Sequence, residues 1–111
     1  MSKYQRDKGA AWERQVARDL TKATGMKHHR CLTETQQGNV GDIATPLPFV
    51  FQCKVGARPP IYQAMREAEA AAGATHYPVA VIKRDNREKL MVFTYADGLE
   101  LISMLVREGV L

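Results

Sequence analysis

Four side chains have types and spacing that could do chemistry together: Glu13, Asp42, Gln52 and Lys54. Phosphodiester hydrolysis requires a divalent cation, an in-line water and a positive group near the developing charge. Mg²⁺ takes hard oxygen ligands and keeps several waters, so one or two carboxylates plus a substrate phosphate suffice, and Mn²⁺ fits the same donors. Asp42 would be the first ligand, Gln52 would add an amide oxygen, and the backbone carbonyl of Cys53 could add another. Lys54 could orient or help deprotonate the attacking water and stabilise the phosphate. Glu13 could reach a metal, directly or through water, or hold Lys54. Each residue also has a plain structural explanation. Glu13 could be an edge carboxylate paired with Arg14, Arg18 or a sheet residue. Asp42 could begin an Asx turn. Gln52 and Lys54 could mark a strand end emerging into solvent.

These residues need a scaffold. With 111 residues the chain is expected to form one domain, residues 1–111. Its 45% apolar and 25% charged composition is that of a globular chain rather than a disordered one. Lys8–Thr24 reads as an amphipathic helix, with Trp12, Val16, Leu20 and Ala23 at helical spacing and Gly25 ending it. Glu13 lies three to seven residues from Val16, Ala17 and Leu20 and so borders the apolar face. Strands are predicted over Lys27–Thr33, Asp42–Thr45 and Phe49–Lys54, with a polar loop over Glu34–Gly41. Alternation puts Val50, Gln52 and Lys54 on one face of the third strand and Phe49, Phe51 and Cys53 on the other. Pro59 and Pro60 open a helix carrying Ile61, Met65, Ala68 and Ala72, which Gly73 ends. Tyr77–Lys83 is a nearly continuous apolar run, as expected of a strand buried on both faces. A turn over Asp85–Glu88, a strand over Leu90–Tyr95 and a helix over Leu99–Arg107 complete the order α-β-β-β-α-β-β-α, an α/β fold with a mixed β-sheet flanked by helices. The last helix is apolar on most sides and needs two packing partners, one of which could be a second subunit.

Charge is unevenly placed. Residues 1–30 hold eight Lys or Arg against three acids, whereas the remainder is close to neutral. A basic front end suits a polyanion such as DNA. Lys8, Arg14, Arg18, His29 and Arg30 are the candidate phosphate contacts, and Gln36 and Gln37 in the polar loop could reach the backbone. No stretch could span a bilayer and the N-terminus has no apolar signal region, so no membrane association is expected and a cytoplasmic or nucleoid location is. Two cysteines make no disulfide framework. His28, His29 and Cys31 do not converge as zinc ligands, because neighbours on a strand point to different faces.

Taken in order, the motifs resemble the PD-(D/E)XK nuclease superfamily, most nearly its archaeal-type Holliday-junction resolvases. The resemblance rests on Lys8-Gly9, Glu13-Arg14, Gly41-Asp42-Ile43 and Gln52-Cys53-Lys54 after an apolar strand, then Gln63 on a helix and Lys83 ending a buried strand. It spans residues 8–84. It implies a restriction-endonuclease-like sheet, a Mg²⁺- or Mn²⁺-dependent endonuclease acting on branched DNA, and a homodimer, since a four-way junction has pseudo-two-fold symmetry. It places Gln63 near the substrate. Gln52 stands where the usual pattern has an acid, a form similar to that of the Mrr-type restriction nucleases. The alternatives are a restriction- or repair-type nuclease on linear or flapped DNA, a non-catalytic DNA-binding relative, and an α/β domain without a nucleic-acid role. The small size would suit a phage-encoded enzyme.

Overall fold

The structure is a computed structural model that describes residues 2–32 and 41–111. The loop residues Thr33–Val40, Gln36 and Gln37 among them, lie outside the described residues, as does the end of the strand predicted over Lys27–Thr33. The first helix, α1 (Lys3–Thr24), begins five residues before the predicted start. The reason is local: Ser2 Oγ accepts from the Gln5 N–H while the Gln5 side chain accepts from the Ser2 N–H, a reciprocal capping box. Gly25 closes α1 in the left-handed conformation and donates to the Thr21 carbonyl.

The next two strands are shorter than predicted: β1 (His29–Arg30) and β2 (Ile43–Ala44) form a two-residue antiparallel ladder. Side chains take over the bonding beside it. Thr21 Oγ1 accepts from the His28 N–H, and the His28 ring bridges the Met26 carbonyl and Thr45 Oγ1 at 2.8 Å each. His28 is therefore a satisfied buried histidine.

β3 (Phe49–Gly56) runs parallel to β4 (Tyr77–Arg84), and α2 (Ile61–Ala72) makes the crossover. β5 (Lys89–Val92) pairs antiparallel with β4, giving the order β3-β4-β5. α3 (Tyr95–Arg107) starts four residues before the predicted Leu99 and claims Tyr95 from the predicted strand, because Thr94 Oγ1 accepts from the Asp97 N–H and nucleates the helix there.

The strand alternation sorts the core into two layers. Phe51 and Cys53 with Val79 and Val81 pack on Trp12, Val16 and Ala17 of α1. Val50 packs on Ala68 and Ala72, and Ala80 and Ile82 pack on Ala64 and Met65, all on α2. Trp12 Nε1 donates to the Val81 carbonyl at 3.1 Å, pinning α1 to the central strand. A mixed sheet between helices, in the order α-β-β-β-α-β-β-α, is a restriction-endonuclease-like α/β fold. Among the described residues no helix is long and apolar enough to cross a membrane.

Candidate active site

The site begins at Gly41. Its φ is +81°, and a Cβ there would meet the Phe51 carbonyl oxygen at 2.7 Å and Val50 Cγ1 at 2.8 Å. Only glycine lets this segment approach β3 so closely. The approach docks Asp42 at three points. Its N–H donates to the Phe51 carbonyl, its carbonyl accepts from the Cys31 N–H, and its Oδ2 accepts from the Cys53 N–H, each at 2.8 Å. The N–H and C=O of one strand residue point to the same edge, so the Cys53 carbonyl faces the same side as Asp42.

Burial pushes the Asp42 carboxyl up to about 6. The Cys53 N–H opposes that rise, the charge of Glu13 adds to it, Lys54 opposes it and Glu67 adds again. Both cysteines are buried, and burial also raises their thiols. They remain neutral and unsuited to a soft metal at neutral pH.

Gln52 and Lys54 share the face of β3 that α2 covers, as the alternation predicts. Lys54 Nζ lies 2.9 Å from Glu67 Oε1 on α2. The Glu67 carboxyl is held below its usual range chiefly by Lys54, with Gln63 and Gln52 helping. Gln63, one turn earlier on α2, approaches Glu67 Oε2 at 3.4 Å. Glu67 was missed in the sequence because its position depends on how α2 docks. The available signal was a lone acid flanking the stripe of Ala64, Ala68 and Ala71.

Glu13 points elsewhere than towards Lys54. Its Oε1 is 2.6 Å from Arg30 Nε, so its ion-pair partner is a sheet residue. Its charge still reaches Asp42 from the α1 side. Arg14, Arg18, Lys22, Lys27, His29 and Arg30 line one surface groove beside α1. Lys8 lies apart from it, held 2.6 Å from Asp85 in the β4–β5 turn.

The candidate donors are hard oxygens: the Asp42 carboxylate, the Gln52 amide oxygen and the Cys53 carbonyl. That chemistry suits Mg²⁺ or Mn²⁺. Glu67 Oε1 adds a buried carboxylate oxygen with no aligned hydrogen bond among the described residues. No three His, Cys, Asp or Glu side chains among the described residues form a closed metal cage. An open set of oxygens fits a cation that retains water and draws further ligands from phosphate.

A mixed sheet between helices, with Asp42 anchored to β3 and Lys54 on that strand, is consistent with the resemblance drawn from the sequence. A model of the family described as "Phage putative PDDEXK endonuclease" matches residues 4–108, and the chain belongs to that family. No match was found among curated proteins or among solved structures.

Proposed function

We propose that the protein is a divalent-metal-dependent endodeoxyribonuclease that cuts branched DNA in the manner of a Holliday-junction resolvase, working in the cytoplasm or on the nucleoid. The observation that carries this reading is the anchorage of Asp42 to the β3 edge, through the Cys53 N–H at 2.8 Å, next to the strand that bears Gln52 and Lys54. Asp42, Gln52 Oε1 and the Cys53 carbonyl would hold Mg²⁺ or Mn²⁺, with Glu13 acting through water. The cation supplies Lewis-acid charge to the scissile phosphate and acidifies the attacking water.

Lys54 is ion-paired and, as an ammonium, has no lone pair with which to accept a proton. Its part is to orient the water and offset charge on the phosphate. The groove carrying Arg14, Arg18, His29 and Arg30 binds phosphates, with Lys8, Gln37 and Gln63 as further contacts. Such contacts position DNA without reading sequence, so selectivity comes from branched shape.

Paired cuts across a two-fold junction call for a homodimer. α3 supports that assembly: it has no buried residue, and Leu99, Ile102, Leu105 and Val106 are 41–56% exposed. Cleavage of four-way, flapped and plain duplex DNA of equal length tests the substrate. Preference for the junction supports a resolvase, equal rates point to a restriction- or repair-type nuclease, and salt-sensitive binding without cutting in any metal makes the chain a DNA-binding relative.

A further inference from the structure

We propose that Glu67 supplies the second metal-binding carboxylate that β3 lacks, so that this site takes one acid from the segment entering β2 and the other from α2. The inference rests on the nuclease reading and goes beyond it by assigning a residue outside the strand motif.

The argument starts at Gln52. Mg²⁺ sites lean on one or two carboxylates, and a neutral amide at position 52 leaves Asp42 as the strand-edge acid among the described residues. Glu13 is a poor substitute. It approaches from the α1 side of the sheet and is matched by Arg30 at 2.6 Å.

Glu67 stands on the other face, the one Gln52 and Lys54 share. α2 is locked there by Ala64 and Ala68, both wholly buried against β3 and β4. That packing leaves little freedom in where the carboxylate projects. Besides Gln63 on its own helix, it meets the strand motif itself: Lys54 at 2.9 Å, and the Gln52 amide.

The contact with Lys54 is more than a surface ion pair. Glu67 Oε1 is buried, and the Lys54 ammonium 2.9 Å away holds the carboxyl in its ionised form. A carboxylate kept ionised in this way is in the form that a hard cation takes as a ligand. The carboxylate has about four lone-pair positions, enough to serve Lys54 and a cation together. Asp42 and Glu67 also repel each other electrostatically, a repulsion that a divalent cation would reverse.

The test is Mn²⁺ binding followed by electron paramagnetic resonance, on the full chain without DNA. It compares wild type, Asp42→Ala, Glu67→Gln, Gln52→Glu and the double variant Gln52→Glu/Glu67→Gln. Thermal unfolding in EDTA checks that each variant is folded. Glu67→Gln is expected to weaken Mn²⁺ binding by about tenfold or more, as loss of one charged ligand should. The double variant, with the acid returned to the strand, is expected to recover binding to within a few-fold of wild type. If Glu67→Gln binds Mn²⁺ as wild type does while Asp42→Ala does not, Glu67 is only an ion-pair partner and the inference falls, with the nuclease reading intact. If the double variant is folded and stays as weak as Glu67→Gln, acid placement is not what Glu67 contributes, and the inference also falls. If wild type itself binds no Mn²⁺, both fall together.

Discussion

Asp42 is asked to do two things that conflict. It must be buried and rigid to define a metal position, and it must be charged to hold the metal. The conflict shows in its carboxyl, which burial lifts from 3.8 to about 6. A raised acid binds its proton more tightly when folded. Its stabilising contribution is therefore complete below pH 3.8 and is lost as pH rises through about 6. Asp42→Asn keeps an oxygen for the Cys53 N–H and removes the buried charge. In metal-free protein near neutral pH it is expected to raise stability by roughly 1–3 kcal/mol, a gain that vanishes towards about pH 4. Chemical denaturation at both pH values checks this. No gain at neutral pH would mean that the carboxylate is well solvated. The same scale shows what spacing alone could reveal. The shared face of Gln52 and Lys54 was legible because a strand's two-residue period sets it whatever the rest of the fold does. Glu67 was not, because it lies 13 positions after Lys54 on the crossover helix and only the docking of Ala64 and Ala68 brings it back. The pairing of Glu13 with Arg30 was visible only as one choice among several.

At the scale of elements, β2 is too short to hold itself in place, and the approach at Gly41 substitutes for a ladder. Gly41→Ala puts a methyl group against the Phe51 carbonyl and Val50 in a backbone conformation that side chains resist. The expected cost is roughly 2–4 kcal/mol, together with displacement of Asp42 and loss of Mn²⁺ binding. Urea unfolding and a Mn²⁺ titration would measure both, and an unperturbed variant would show that the close approach is not needed. α1 depends instead on Trp12, which is 4% exposed and bonded to the Val81 carbonyl. Trp12→Ala is expected to cost about 3–5 kcal/mol, a large part of the stability of an ordinary domain, seen in calorimetry as a markedly lower Tm. Element order and type were readable throughout, because apolar periodicity spans many residues. Boundaries failed where side chains set them: the Ser2–Gln5 box lengthened α1, Thr94 began α3 early, and the His28 contacts shortened β1.

For the whole molecule, the basic first 30 residues line a groove beside α1, while Lys8 is already paired with Asp85. Arg14→Ala and Arg18→Ala should each lower the slope of log affinity against log salt by about 0.9 for DNA, if each arginine meets one phosphate. Lys8→Ala should change it less. Fluorescence anisotropy across a salt series separates these outcomes. The proposed dimer would rest on α3, where Leu99, Ile102, Leu105 and Val106 are exposed. Ile102→Asp is expected to turn a dimer into a monomer in sedimentation velocity and to uncouple the paired cuts, and a wild-type monomer that still nicks junctions symmetrically would remove the need for a dimer.

The most direct measurement is cleavage of a labelled four-way DNA junction with Mg²⁺, with Mn²⁺ and with EDTA, beside Asp42→Ala. The expected result is paired nicking that requires the metal and disappears in the variant while DNA binding persists. Cleavage that survives EDTA or the loss of Asp42, or tight binding with no cleavage in either metal, would contradict a metal-dependent nuclease centred on Asp42.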